Sequence, residues 1–272
     1  MTYYRPIPMT DPHRPASALG LAGGWCWFSH LEVIERGGPR RLIGAQDVPD
    51  LVLARLTAAR ADIAGITMDA PRIMGILNVT PDSFSDGGKF NAPDAAQAQA
   101  RQMMADGADI IDIGGESTRP GAATVDVADE VQRTAPVIAA LCAQDTVPIS
   151  IDTRKAGVAR AAIDAGAQII NDVAAMSYDP AIAQVAADSA APLCLMHAQG
   201  DPATMQNDPT YDDVVLDVYD FLQTRIDAAE AAGIRRDRII VDPGIGFGKS
   251  LDHNLALLKN LSIFHGLGCP VL

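Results

Sequence analysis

The sequence predicts a (β/α)8 TIM barrel. Six short apolar runs alternate with Ala-rich stretches of helical character, a rhythm typical of parallel βαβ units. Each run ends in polar residues, so we expect those residues to meet at the C-terminal ends of the strands. An open doubly wound sheet concentrates such residues at one switch point, whereas a barrel carries them at nearly every strand. The repeated pattern therefore favours the barrel.

The six strands are predicted where apolar runs stop at loop-forming residues, which suits strands buried on both faces. The first run, residues 73–78, ends in Asn78 and continues into the loop sequence VTPDSFSDGG. The ends of the other five runs are marked by Glu116, Asp152, Asn171, Met196 and Asp242. No GxGxxG follows the first strand and no GxxxxGK[ST] occurs in the sequence, so neither nucleotide-binding loop is indicated.

Residues 1–70 follow a different pattern and are interpreted as an N-terminal extension, with the barrel assigned to residues 71–272. Residues 25–36 and 41–48 predict a β-hairpin, and residues 50–64 predict a helix that leads into the first barrel strand. We expect the hairpin to cap the N-terminal end of the barrel. Packing there, rather than ligand binding, is the expected role of its aromatic side chains, Trp25, Trp27 and Phe28.

Composition excludes several classes of partner. The chain has 272 residues, a formal net charge of −13 and 48% hydrophobic residues, enough for a sizeable core. Its acidity argues against binding to nucleic acid or to an anionic membrane. No apolar run approaches the roughly 20 residues of a membrane-spanning helix, and the first residues do not resemble a secretory signal. The four scattered cysteines predict buried thiols in a reducing cytoplasm.

Six motifs in order carry a family resemblance. The sequences LNVTPDSFSDGG, GGESTRPGA, SIDT, INDV, MHAQGDPATMQ and DPGIGFGK resemble those of dihydropteroate synthases, and the resemblance runs from Pro71 to the end of the chain. It implies a (β/α)8 barrel that joins 6-hydroxymethyl-7,8-dihydropterin pyrophosphate to p-aminobenzoate and releases pyrophosphate. Those two small molecules are then the expected substrates.

The resemblance implies a group of residues that handle the pyrophosphate. Asn78 is similar to the family's Mg²⁺ contact, and an amide oxygen suits a hard cation that keeps most of its waters. Arg119 resembles an arginine that grips pyrophosphate oxygens with its planar guanidinium, and Thr118 beside it can donate to the substrate. Asp86, in the first loop, is assigned with Arg119 to the catalytic set. Taken without the resemblance, Asn78 forms a turn and Arg119 a surface ion pair equally well.

A second group is implied for the pterin ring. Asp152, Asn171 and Asp242 lie at matching positions on three strands, where they can bond the flat polar edge of a pterin. Met196 can pack on the ring face through its polarisable thioether. The alternative for the two aspartates is to cap the following helices. That alternative ranks lower, because polar groups facing a barrel mouth without a ligand are costly.

Three residues near the last strands each have more than one possible role. Phe247 lies between glycines and is expected to form an aromatic wall for the benzoate ring, although a single Phe is more often part of a core. His197 is interpreted as a structural histidine rather than a catalytic one. Lys249 can bind an anion, face solvent or cap a helix, and the sequence does not choose among these.

The C-terminal residues depart from the family pattern. Pro270 begins a predicted seventh strand, but the Ser-Arg-Lys motif that follows it in the family, and a last strand with an Arg and a His, are missing. We therefore expect an incomplete barrel with strands 1–6 and the start of strand 7, and little turnover from these residues alone. The resemblance implies a homodimer for a full-length chain. The alternatives are a methyltetrahydrofolate-binding methyltransferase domain and a catalytically degenerate pterin-binding paralogue.

Overall fold

The computed structural model of the chain describes residues 1–80, 92–117, 124–200, 205 and 208–272. The N-terminal part contains five strands and one helix: β1 (Thr2–Pro6), β2 (Leu19–Gly20), β3 (Trp27–Phe28), β4 (His30–Glu35), β5 (Arg41–Gly44) and α1 (Asp50–Thr57). Strands β1, β4 and β5 form an antiparallel sheet with β4 in the centre, and β2 pairs with β3. The predicted hairpin is thus present as β4 and β5, within a three-stranded sheet. The predicted helix ends early, because Ala58 has an extended backbone.

The second part alternates strands and helices, as predicted. Its elements are β6 (Met74–Asn78), α2 (Ala92–Ala105), β7 (Ile110–Gly114), α3 (Val127–Cys142), β8 (Ile149–Asp152), α4 (Ala156–Asp164), β9 (Ile169–Asp172), α5 (Ile182–Ser189), β10 (Leu193–Met196), α6 (Val214–Ala231), β11 (Ile239–Asp242) and α7 (Leu251–Lys259). Short 3-10 helices follow α6 and α7, at Arg236–Arg238 and Leu261–Leu267. Among the described residues, two helix starts are capped by their own N-cap side chains: Asp213 accepts hydrogen bonds from two backbone N–H groups of α6, and Ser250 accepts from the N–H of His253 in α7.

Strands β6 to β11 form one parallel sheet in sequence order. Every neighbouring pair runs parallel, as βαβ connections require. Val271 continues the order, because it forms a parallel bridge to Val241 of β11. The predicted start of a seventh strand at the end of the sequence is therefore confirmed.

Strands β7 to β11 are buried on both faces, whereas in the edge strand β6 Ile76 is 63% exposed. Alternate side chains serve two different cores. One set packs under the helices and includes Ile111, Ile113, Ile149 and Ile151, all fully buried. The other set points into the barrel. At the N-terminal ends of the strands this set forms a separate cluster, which contains Ile110, Ile169, Cys194 and Ile240. This alternation places the last residues of the strands, which are polar, at the opposite end of the interior.

The base of the barrel is closed by a segment other than the predicted hairpin. Ile63 is 1% exposed and packs into the interior cluster, together with the partly buried Ile66 and Met68. The β4–β5 hairpin lies instead beside α6 and the start of the last 3-10 helix, where Arg36 pairs with Asp217 and Asp220 and Arg40 donates to Asn260. The prediction that it caps the barrel was therefore wrong for β4 and β5, although Trp25 and Cys26 of the predicted segment line the cavity at the base. Of its three aromatic residues, Trp27 and Phe28 are buried, but Trp25 is 53% exposed.

Two further sequence-based expectations concern the surroundings of the protein. No helix among the described residues is long and apolar enough to cross a membrane. All four cysteines are free thiols, and Cys194 and Cys269 are buried.

Candidate active site

The polar residues predicted for the site lie at the C-terminal ends of the parallel strands. Asn78, Asp152, Met196 and Asp242 each end their strand, and Asn171 is next to last in β9. The strand register aligns most of them in a row, since Asn78 is level with Gly114, Gly114 with Asp152, and Asp152 with Asn171. Met196 is level with Asp242 on the next pair of strands. Strand ends that lie far apart in the sequence are therefore brought together at the C-terminal face of the barrel.

A buried polar layer lies directly below this row. Asn171 donates its side-chain N–H to Asp112 Oδ2 at 2.9 Å, across the intervening strand β8. Three oxygens of the layer are buried without a well-formed hydrogen bond among the described residues, Asp112 Oδ1, Ser150 Oγ and Asn171 Oδ1, although Ser150 lies close enough to Asp112 to lower its pKa. Buried polar atoms without partners are rare in native proteins, and they normally bond water or a ligand. The layer is therefore prepared for hydrogen-bonding groups that enter from the strand ends.

Burial changes the protonation of the carboxyl groups in this region. It raises the pKa of Asp112, and it raises the pKa of Asp152 well above its usual range, with the negative charge of Asp112 as the next cause. Burial also raises the pKa of Asp242 to about 6, although the N–H of Gly244 stabilises the ionised form through a 2.7 Å bond to Oδ1. Asp112 and Asp152 thus retain protons more readily than exposed carboxyls do, and together they can donate as well as accept.

Asp172 shows that a carboxyl with a raised pKa at the end of a strand is not always part of the site. Its side chain points away from the polar layer and accepts hydrogen bonds from the N–H groups of Ala174 and Met176. Burial raises its pKa to about 6. These bonds stabilise the turn after β9, which is a structural role.

A cavity of about 280 Å³ opens beside the strand ends. Met196, 3% exposed, and the half-buried Phe247 both line it. Val173, Tyr178, Met205 and the guanidinium of Arg154, which lies 4.1 Å from the ring centre of Tyr178, complete much of its wall. A larger cavity of about 320 Å³ lies at the other end of the barrel, near Ile63 and Met74. The site is assigned to the smaller one, because the carboxylates and the buried amide lie at its end of the strands.

An ion cluster supports the chain next to the site. Lys155, at the start of α4, donates to Glu130 at 2.6 Å, to the backbone oxygen of Val125 at 2.7 Å, and pairs with Glu116 at 3.1 Å. Glu116 also accepts from the N–H of Val125 at 2.9 Å. Burial raises the pKa of Glu116, but the Val125 N–H, Arg154 and Lys155 outweigh it, and the net shift is downward. The cluster joins the end of β7 to the start of α3.

His197 and Lys249 form a contact that the sequence did not predict. The Lys249 ammonium lies 3.0 Å from Nδ1 of His197 and is only 3% exposed. Burial lowers the pKa of His197 to about 3, and the Lys249 charge adds to that effect. The structural role predicted for His197 agrees with this environment. The solvent-facing and helix-capping roles predicted for Lys249 were wrong, since it is buried and its Nζ contacts His197, Gly244 and Phe247. Anion binding by Lys249 stays a prediction.

The predicted residues are therefore only partly brought together. Asp152, Asn171 and Asp242 meet around the buried polar layer, and Met196 and Phe247 share the cavity wall. Asn78 is exposed at the end of β6. The predictions for Asp86, Thr118 and Arg119 lie outside the described residues.

Sequence reasoning did not identify Asp112, although the sequence contained a signal for it. Residues 110–114 read IIDIG, an apolar strand interrupted by one carboxylate. The alternation of strand side chains puts that carboxylate on the same face as the terminal Gly114, inside the barrel. Burying a carboxyl in a strand is costly unless it has a partner, so its position alone pointed to the site.

The fold and the site together define a pterin-binding α/β barrel, and residues 74–272 match the family model described as pterin binding enzyme. The chain is 49% identical over 200 residues to the dihydropteroate synthase of Synechocystis, an alignment that covers 74% of this chain and 69% of the relative. The chain belongs to the dihydropteroate synthase family and, like the other members, is a transferase.

Solved structures give the same assignment. The chain is similar to Xanthomonas albilineans dihydropteroate synthase with 4-aminobenzoic acid, at a TM-score of 0.72 and 50% identity, covering 78% of this chain and 76% of that one. It is also similar to the same bacterium's enzyme in complex with 7,8-dihydropteroate, at a TM-score of 0.70 and 47% identity, with coverage of 78% and 76%. The predicted (β/α)8 class is confirmed by these similarities.

Proposed function

We propose that this protein joins 6-hydroxymethyl-7,8-dihydropterin pyrophosphate to p-aminobenzoate, with dihydropteroate and pyrophosphate as products. The observation that carries the proposal is the buried polar layer of Asp112, Ser150 and Asn171, whose three oxygens are available to hydrogen-bond a ligand that enters from the strand ends. Two relatives support the identity of the ligands, since one is solved with 4-aminobenzoic acid and the other with 7,8-dihydropteroate. The named activity of both is dihydropteroate synthesis.

The pterin edge is complementary to this layer. Asn171 gives its N–H to Asp112, so its carbonyl oxygen remains as an acceptor for a ring N–H or amino group. Asp242, with a pKa near 6, is mostly ionised at neutral pH and accepts as well. The Asp112–Asp152 pair, which retains protons more readily, can donate to a ring oxygen or nitrogen. A flat heterocycle with donors and acceptors along one edge satisfies all of these groups.

The reaction needs orientation more than it needs a strong base. The amine nitrogen of p-aminobenzoate forms a bond to the exocyclic methylene of the pterin, the carbon–oxygen bond to pyrophosphate breaks, and the amine loses a proton. The pterin ring stabilises positive charge at that methylene, which assists the departure of pyrophosphate. Met196 against the ring and Phe247 against the arylamine hold the two reactants in the same cavity.

Mg²⁺ is proposed to bind with the pyrophosphate, and the residues present fit a metal held largely by the substrate. A Cβ at Gly114 would lie 3.4 Å from Asn78 Oδ1 and 3.3 Å from Asp152 Oδ2, so the glycine leaves space between these two side-chain oxygens. Among the described residues no group of three or more His, Cys, Asp or Glu side chains is arranged to hold a metal. When bound, Mg²⁺ stabilises the charge of the leaving pyrophosphate. Asn78 is the proposed protein ligand.

Several parts of the proposal rest on the family resemblance. Arg119 and Asp86 are proposed as catalytic residues, and Thr118 as a substrate contact, because they belong to the motifs GGESTRPGA and LNVTPDSFSDGG that carry the family resemblance. A homodimer and a cytoplasmic location are also proposed. The buried thiols agree with a reducing compartment.

Calorimetric titration tests the proposed function. We expect the pterin pyrophosphate to bind the wild-type chain and Mg²⁺ to strengthen that binding, whereas Mg²⁺ leaves the binding of the pterin alcohol unchanged. Asn171→Ala is expected to weaken binding at least tenfold, roughly 1.4 kcal/mol, since it removes an acceptor and leaves Asp112 unpartnered. Gln102→Ala, an exposed amide on α2, is the matched control. Equal binding by both variants would contradict the proposed site.

A further inference from the structure

The side chain of Lys249 is enclosed by backbone oxygens from two segments. Its Nζ donates to Gly244 O at 2.7 Å, to Phe247 O at 2.9 Å and to His197 O at 3.2 Å, and it lies 3.0 Å from His197 Nδ1. None of the salt bridges among the described residues includes it. Burial lowers the pKa of Lys249 to about 7, opposed by the negative charge of Asp242.

A buried ammonium without a carboxylate partner is costly, so its hydrogen bonds must serve the local structure. The bonds connect the end of β10, at His197, with residues 244–248, the turn that carries Phe247. That turn is closely packed on the neighbouring segment: a Cβ at Gly244 would lie 1.9 Å from His197 O, and one at Gly248 would lie 2.5 Å from Gln199 O. Both glycines have positive φ, at +66° and +64°. The lysine is the central connection between the two segments.

Two walls of the cavity depend on this connection to different degrees. Met196 belongs to β10 and is fixed by strand pairing with Asp242. Phe247 lies in the turn, outside the sheet, where its own backbone oxygen accepts from Lys249. In the described part of the chain, three other side chains bond the turn: the hydroxyl of Tyr211 donates to Gly248 O at 2.7 Å, Asn254 Oδ1 accepts from Gly246 N, and Asp242 Oδ1 accepts from Gly244 N. Lys249 alone among these side chains bonds the turn at Phe247 and also reaches His197, so its loss loosens Phe247 while strand pairing keeps Met196 in place.

We infer that Lys249 is a positioning residue for the arylamine half of the ligand, because it fixes Phe247 in the cavity wall. This role rests on the proposed function. The lysine does not touch the ligand; it acts through the turn. A general contribution to folding would weaken the binding of every ligand alike, whereas a positioning role selects the ligand that reaches Phe247.

Two ligands separate the halves of the site without requiring turnover. The pterin pyrophosphate fills only the pterin half, and 7,8-dihydropteroate adds the aminobenzoyl group. We expect Lys249→Met to weaken dihydropteroate binding about tenfold while pterin pyrophosphate binding changes less than about twofold. Lys249→Gln, which keeps two N–H donors, is expected to lose less. The exposed Lys259→Met on α7 is the matched control and is expected to bind both ligands as the wild type does.

A second variant keeps the test decisive if Lys249→Met does not fold, as judged by circular dichroism. Tyr211→Phe removes only the hydroxyl bond to the same turn, and it is expected to show the same selective loss at a smaller size, about threefold. Equal affinities in wild type and variants, or equal losses for both ligands, would overturn the positioning role. Failure of the wild-type chain to bind either ligand would instead contradict the proposed function.

Discussion

At the scale of single residues, the site is defined by which atoms remain unpartnered. Asn171 is oriented by its bond to Asp112, and that orientation leaves its carbonyl oxygen buried and available as an acceptor. Asp112 is therefore as important for recognition as the strand-end residues, although it lies one layer deeper. The arrangement costs free energy in the empty protein, because buried carboxyls lose their hydration. A ligand that restores the hydrogen bonds recovers part of that cost.

Asp242 allows the electrostatic cost to be measured. Its pKa is raised from 3.8 in a model peptide to about 6 in the folded chain. The folded state thus binds more protons than the unfolded state between these values, so stability falls as the pH rises through that window. Two pKa units correspond to roughly 3 kcal/mol. We expect Asp242→Asn to unfold at higher urea concentration than wild type near pH 8, with the advantage largely lost near pH 4.

The exposed Asp62→Asn is the control for this experiment, since Asp62 lies at the surface. Its stability relative to wild type is expected to be nearly the same at both pH values. The stability difference between Asp242→Asn and wild type could instead be independent of pH. The effect of the substitution would then come from packing or from the lost bond to Gly244 rather than from ionisation.

At the scale of elements, strands were more predictable than side-chain partners. The apolar runs fixed the positions of β6 to β11 because period and length are local properties of the sequence. The helix at residues 50–64 was predicted too long, since tertiary contacts ended it. After Thr57 the chain turns, and Arg60 donates to the backbone oxygens of His265 and Cys269. Such contacts join residues that are about two hundred positions apart, and no local pattern announces them.

The same limit explains what was missed in the site. The polar ends of the strands could be predicted, because parallel strands must bring their C-terminal ends to one edge. The burial of Lys249 could not, because it depends on how the turn after β11 packs on the segment after β10. The ion cluster around Lys155 was missed for a similar reason, since its carboxylates come from β7 and α3.

The Lys155 cluster makes a prediction at this scale. Lys155→Met leaves the fully buried Glu130 without its cation, whereas Glu116 keeps Arg154, and we expect a loss of about 3–5 kcal/mol in the free energy of unfolding. Adding Glu130→Gln is expected to recover part of the loss, because one buried charge is removed. Urea unfolding of the two single variants and the double variant measures the coupling. Strictly additive losses would mean that the cluster does not connect α3 to α4 energetically.

At the scale of the whole molecule, the N-terminal residues are integrated with the barrel. Tyr3 bonds Asp220 of α6 at 2.8 Å, and Arg36 pairs with both Asp217 and Asp220. Ser262, in the last 3-10 helix, donates to the backbone oxygen of Pro6 at 2.7 Å. We propose that residues 1–70 and 71–272, although distinct in architecture, unfold as one cooperative unit. The segment that closes the base of the barrel then belongs functionally to the second part.

Ile63 is the residue that tests this unity. It is 1% exposed and contacts the interior cluster of Ile110, Ile169 and Ile240, so Ile63→Ala is expected to leave a cavity at the base of the barrel. The expected cost is about 2–4 kcal/mol. Leu51→Ala, at a side chain that is 86% exposed, is the control and should change stability by less than about 0.5 kcal/mol.

The measurement is thermal and urea unfolding followed by two probes, tryptophan fluorescence and far-UV circular dichroism. Both tryptophans, Trp25 and Trp27, lie in the N-terminal residues, whereas most of the helix content belongs to the barrel. We expect both probes to report the same transition, and we expect Ile63→Ala to shift it equally for both. The reason is that the segment around Ile63, which closes the base of the barrel, connects the two parts in one core. Separate transitions, with the variant moving only one, would show that the extension is an independent domain and that the base of the barrel holds without it.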